Sequence, residues 1–230
     1  MTLADRIALF STLDYVALAL LFVCWLGIGW RIEHPGKKHL STSVLMADYR
    51  RAWMNEMVTR EPRIFDAQVL ASLREGTAFF ASTSVIAIGG TLALIGNAEK
   101  LGGVASEITL MDHPAIVWEL KLMVVTLLLT NAFLKFVWSN RLFGYCSVLI
   151  ASVPNDPGDP EAYPRARQAA EINVTLARSF NRGLRSIYFA LACAAWLAGP
   201  VAFIAATLTT LVVIWRREFA SHSRKILLNA

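Results

Sequence analysis

Residues 76–96 read GTAFFASTSVIAIGGTLALIG and carry no charged side chain. A helix of about 20 apolar residues matches the thickness of a bilayer's hydrocarbon core. Inside lipid a backbone must satisfy its own hydrogen bonds, so such a run is a spanning helix. The rest of the chain agrees: only 17% of residues are charged, against about a quarter in soluble domains. Mean hydropathy is +0.49. The predicted fold class is all-α, a polytopic integral membrane helix bundle forming a single membrane domain over residues 1–230.

Three further apolar runs complete a set of four expected spans. They cover about 7–30, 76–96, 115–138 and 186–215. The first lacks a basic leader and a small-residue cleavage site, so it reads as a retained span and not a cleaved signal. The third has a helical pattern that continues through LFGYCSVLIASV and projects beyond the membrane. The fourth is half as long again as a span requires and holds Gly199-Pro200 at its centre, a point where a helix kinks or divides.

Loop charge sets the expected orientation. Arg31, Lys37, Lys38, Arg50, Arg51, Arg60, Arg63 and Arg74 separate the first two spans, and Arg141, Arg165, Arg167, Arg178, Arg182 and Arg185 separate the last two. Only Lys100 stands between the second and third. Basic loops stay in the cytoplasm, which puts the amino terminus outside. The favoured count of four crossings then leaves the basic tail, with Arg216, Arg217, Arg224 and Lys225, outside, against the same rule. A re-entrant hairpin at Gly199-Pro200 would return it to the cytoplasm.

Cytoplasmic helical segments are expected over about 43–75 and 164–185. Ser41 or Ser43 can cap the first. Leu45, Tyr49, Trp53 and Met57 recur every four residues as one apolar stripe, which suits a helix lying on the membrane or one packed on other cytoplasmic helices. Pro62 opens the next helix, with no breaker before Gly76. The expected partners of this basic layer are anionic lipid headgroups, with a docking surface for a protein as the sharper alternative. Nucleic acid is not expected, because the basic residues cluster between apolar runs.

The residues exclude several chemistries. All four histidines, His34, His39, His113 and His222, lie in loops or the tail, so haem held by facing spans is not available. His34 and His39 lack a third ligand at metal spacing. The three cysteines form no CxxC pair, and no phosphate-binding loop occurs. Ser82, Thr83 and Ser84 have no intramembrane histidine to activate a nucleophile, and more plausibly bond backbone carbonyls or a neighbouring helix. Asn173-Val174-Thr175 fits the glycosylation pattern only by chance. No catalytic constellation and no cofactor or metal site is expected.

Ionisable groups within spans are the best functional lead, because each costs at least about 2.5–3.5 kcal/mol at mid-bilayer unless paired or hydrated. Counted from the starts of the first and third spans, Asp14 and Lys121 both lie about 10 Å deep. The two are expected to approach each other or share a polar cavity near the outer face, with Glu119 nearby; the plainer reading is that both reach headgroups and water. Lys135 snorkels. Asn131 is placed to bond across a helix contact. Gly27, Gly29, Gly89-Gly90 and Ala190, Ala194 and Ala198 allow close helix packing.

The stretches RRAWMNEM, AQVLASLREGTAFFASTSVIAIGG, WELK, KFVWSNR and NVTLARSFNRGLRSIYFALACAAWLAGPVAF together resemble the family catalogued as domain of unknown function 599. The resemblance runs from about Asp14 to Trp215, leaving the tail after Arg217 outside. It implies a small multi-pass membrane fold of a kind found in bacteria and plants, hence an expected place in a bacterial inner (plasma) membrane, and assigns no mechanism. The residues that match the family's pattern are Arg51, Trp53, Met57, Gln68, Ser82, Thr83, Ser84, Lys121, Phe180, Asn181, Arg182, Gly199 and Pro200. Of these, Arg51, Trp53, Met57, Gln68, Asn181 and Arg182 form a candidate cytoplasmic interface.

Two functions are weighed. An oligomeric channel or transporter for ions or small solutes would use Asp14, Glu119 and Lys121 at one end, Ser82 to Ser84 at the other and the helix break at Gly199-Pro200 between them. A non-catalytic accessory or scaffold subunit of a larger membrane complex needs only helix packing and the basic surface.

Overall fold

The computed structural model describes residues 9–36, 39–100, 102–103 and 114–229, and among them no β-strand occurs. Helix α1 covers Thr12–Glu33, α2 Thr42–Met57 and α3 Ile64–Ile95. Helix α4 covers Ala115–Ala151 and α5 Ala162–Ala194. A 3-10 turn at Ala195–Ala198 leads into α6, Pro200–Phe219, and α7 is His222–Leu228. Among the described residues, four stretches are long and apolar enough to cross a membrane: Thr12–Glu33, Ile64–Ile95, Ala115–Ala151 and Pro200–Leu228.

The helix ends follow local chemistry. Ser11 and Asp14 form a reciprocal cap on α1: the Asp14 carboxylate accepts from the Ser11 backbone N–H (3.0 Å) and hydroxyl (2.6 Å), and the Ser11 hydroxyl oxygen accepts from the Asp14 N–H (3.2 Å). This satisfies N–H groups that a helix start leaves unbonded and sets a negative charge at the positive end of the helix dipole. Ser41 caps α2, accepting from the Val44 N–H while its own hydroxyl donates to the Ile32 carbonyl at 2.8 Å. As the pattern predicts, α4 runs without interruption to Ala151, a length of about 55 Å.

The run expected to cross as one segment over 186–215 is divided. Helix α5 continues from the cytoplasmic segment expected over 164–185, with no break at 185, up to Ala194. Gly199 then takes φ = +112°, a conformation that favours glycine, and Pro200 starts α6. Across this break the chain reverses. The Arg217 guanidinium donates to the Tyr188 hydroxyl at 2.8 Å, and the Trp196 and Phe203 rings stack at 5.1 Å, so α5 and α6 are antiparallel.

The chain packs as two compact units. The first takes Met1–Arg31, Ser84–Ala132 and Leu184–Arg217. Its segment of α5 is largely interior: Phe189, Ala190, Ala192 and Cys193 are buried together with Leu21, Leu128 and Ala132. Asn131 donates to the Ser186 hydroxyl at 2.7 Å, the bond across a helix contact that its position suggests. Gly29 faces the Arg185 guanidinium, 3.7 Å from where a Cβ would stand.

The second unit takes Ile32–Thr83, Phe133–Gly183 and Glu218–Ala230. Here Met54, Met57 and Val58 of the α2 end pack with Leu142, Phe143 and Cys146 of α4 and with the alanines of α5. Of the two readings of the α2 stripe, the packed one describes it, although Tyr49 is exposed and Met54 takes an inward place. The tail belongs to the same unit as the first basic segment. The Arg224 guanidinium donates to the Leu40 carbonyl at 2.8 Å, and Ser43 donates to the Glu218 carboxylate through its N–H (3.1 Å) and hydroxyl (3.0 Å).

Candidate functional site

Within the first unit, Asp14 and Lys121 converge on a residue that the sequence reading passed over. The Trp196 indole N–H donates to the Asp14 carboxylate at 2.6 Å, and the Lys121 ammonium donates to the Trp196 carbonyl at 3.0 Å. That carbonyl also accepts the Gly199 N–H at 3.0 Å, so one oxygen serves both the ammonium and the turn that ends the helix. The Lys121 nitrogen stands 5.0 Å from the Trp118 ring centroid and 5.7 Å from that of Trp196, within cation–π range of both. Asp14 is 8% exposed and Lys121 4%.

The two charges therefore act on one fastening. They make no ion pair within 4 Å and are joined through Trp196, which stacks on Phe203 of α6 and also packs against Phe10. Asp14 lies in the first turn of α1, not several residues into it, because the helix begins at Thr12. Equal depth is thus not what brings it level with Lys121; the turn at Ala195–Ala198 reaches both. Glu119 is partly buried and, among the described residues, bonds neither of them. Two residues apart on α4 are turned about 200° around the helix axis.

The other expected site residues lie elsewhere. Ser82 and Thr83 are exposed, with the Thr83 hydroxyl donating to the Phe79 carbonyl at 2.9 Å, whereas Ser84 is buried. Gly199 and Pro200 form the turn that Trp196 precedes. Two sequence signals point here: the Ser11-x-x-Asp14 spacing of a helix cap, and a tryptophan placed three residues before a Gly-Pro break.

In the second unit, most of the candidate cytoplasmic interface is engaged within the chain. Arg51 binds Asp48 and, through two nitrogens, Glu171. The Trp53 indole donates to the buried Asp66 carboxylate at 2.6 Å, which also pairs with Arg60. Met57 is in the core, Asn181 reaches the Ser43 hydroxyl, and Arg182 forks onto Glu33. Gln68 alone of the six is exposed without a bond in the described structure. Asn173, the chance glycosylation match, is fully buried and bonded to Arg50.

The Arg51 hydrogen bond holds the Glu171 carboxyl below its ordinary range. A carboxylate whose folded pKa is depressed stabilises the fold above its unfolded pKa, and that contribution disappears as pH falls through the folded value. Both side chains are about half exposed or more. Glu171→Gln is therefore expected to lower stability by no more than about 1 kcal/mol at neutral pH. The difference from the parent should shrink as unfolding is measured at progressively more acidic pH.

Helices with these lengths and apolar surfaces, and buried charges fastened to a helix break, define a polytopic helical membrane protein. The chain belongs to the family described as protein of unknown function, DUF599, whose model matches residues 16–223. The match takes in part of the tail that the resemblance left out. No curated protein and no solved structure matches the chain.

Proposed function

We propose that this chain is a transporter or channel for ions or small solutes, acting as a homo-oligomer, with the Asp14–Trp196–Lys121 latch closing its outer end. The observation that supports it is the pair of buried charges tied to opposite polar groups of one residue at a broken helix. Charges within a membrane bundle are costly and are commonly tied to function, and a turn can be closed without them by apolar packing. A charged latch differs in that a competing ion, proton or polar solute opens it. Broken helices are also where membrane transporters expose backbone groups to their substrates.

The interior course of α5 adds a fifth crossing to the four apolar ones. Helix α1 enters from outside, α3 returns, α4 enters, α5 returns and α6 enters. All three basic segments, the tail included, then lie in the cytoplasm of a bacterial plasma membrane against anionic headgroups, as the positive-inside rule requires. Oligomerisation fits α3, whose apolar stretch is the least covered of the four, with Phe79, Ile86 and Leu92 outward. No chemical step, cofactor or nucleic acid enters this reading.

The test is flux through vesicles holding the purified protein. Trp196→Phe removes the indole N–H and keeps both charges; Lys121→Met removes the ammonium. Each is expected to change the flux of at least one ion or small solute by roughly tenfold, which corresponds to about 1.4 kcal/mol in a barrier. Vesicles of parent and variants as tight as protein-free ones to every species tried would overturn the proposal. Fixed-ratio co-purification with a larger complex would replace it with an accessory role.

A further inference from the structure

In the first unit, α1 and α6 leave between them a groove of about 400 Å³ with almost wholly apolar walls. Gly27 opens one wall, since no atom lies within 4 Å of where its Cβ would stand. Val23 and Val212 flank it, 69% and 63% exposed, so the groove faces the bilayer. One end is marked by Arg31 and Trp215. Among the described residues no carboxylate lines it, and Arg216 follows Trp215 directly on α6.

Depth and chemistry agree along this groove. Gly27 and Val23 lie about 6 Å and 12 Å further along α1 from Arg31, into its uncharged stretch. Arginine and tryptophan at the end of a span mark headgroup level, while the walls beyond them stand at acyl-chain level. A basic group at the cytoplasmic mouth of an intramembrane groove is the arrangement that selects an anionic headgroup.

We infer that this groove is a binding site for one anionic phospholipid, its acyl chain laid over Gly27 between Val23 and Val212 and its phosphate on Arg31. The inference rests on the membrane character of the chain and is independent of transport. The bound lipid fills a space that the chain's own side chains leave open and holds α6 against α1.

The experiment is native mass measurement of the full chain, stripped of lipid in detergent and then offered equimolar phosphatidylglycerol and phosphatidylcholine. The parent should retain one lipid, with phosphatidylglycerol preferred roughly fivefold, the selectivity expected of one basic residue near the headgroup. Gly27→Leu fills the groove and should lose the retained lipid while unfolding at the parent's temperature. Arg31→Gln keeps the groove and should retain either lipid without preference. A parent that retains no lipid, or that shows no preference, overturns the inference, as does retention unchanged in Gly27→Leu. If Gly27→Leu instead reduces the assembly by whole protomers, the groove is a seam between copies and the lipid site is wrong. Flux plays no part in these readings, so a failure here is separate from a failure of the proposed function.

Discussion

Green fluorescent protein fused after Asn229 is expected to fluoresce in a bacterial host, and alkaline phosphatase at the same position is expected to be inactive. Both outcomes require the tail in the cytoplasm. The basis is geometric: Arg224 bonds the Leu40 carbonyl and Ser43 bonds Glu218, so the tail shares the compact unit of the first basic segment. In the proposed topology, the antiparallel pairing of α5 and α6 provides the extra crossing that takes it there. Reporters inserted after Lys100, between α3 and α4, should give the opposite pair of signals. Active phosphatase at the tail would restore the four-crossing count and remove the fifth crossing.

Gly183→Val is expected to be among the most damaging single substitutions outside the latch. A Cβ at residue 183 would stand 2.7 Å from a ring carbon of Phe136, and two more ring atoms lie within 3.0 Å. The ring is fully buried and held by Phe80 and Phe180, each with its centroid 5.5 Å away, so it has little room to retreat. Replacing a mid-helix glycine by alanine ordinarily gains about 1 kcal/mol. Overpacking a tight core costs about 1–3 kcal/mol, so even Gly183→Ala should lose stability on balance and valine should lose more. Thermal unfolding in detergent measures both. Phe136→Leu should recover part of the loss in the alanine variant; an alanine variant as stable as the parent would show that the ring can move.

The contact at Gly183 also marks where sequence reading stops. A glycine within RSFNRG is locally indistinguishable from one that merely loosens a helix, because its role depends on a ring 47 positions away in sequence. Asp14 and Lys121 were legible as charges within apolar runs. Their meeting on Trp196 was not, since hydrophobicity assigns a tryptophan to the core without saying what its N–H will face. The cap that Asp14 makes with Ser11 was within reach, because it depends on a four-residue spacing. The α2 stripe fitted a membrane surface as well as a protein core, and only the packing of Met54 and Met57 against α4 and α5 distinguished them.

Sequence by itself determined the class of fold, the apolar runs able to span, the basic segments and the break at Gly199-Pro200. Each follows from local causes: the cost of exposing a backbone to lipid, the cost of placing charge there, and the dihedral limits of glycine and proline. Tertiary structure decided the direction of the chain after that break and which compact unit holds the tail. It also left the segment of α5 after Gly183 largely covered by neighbouring helices, which relaxes its apolar requirement. Hydropathy measures what a helix needs when lipid is its solvent, and this segment of α5 escapes that measure because its neighbours are largely protein.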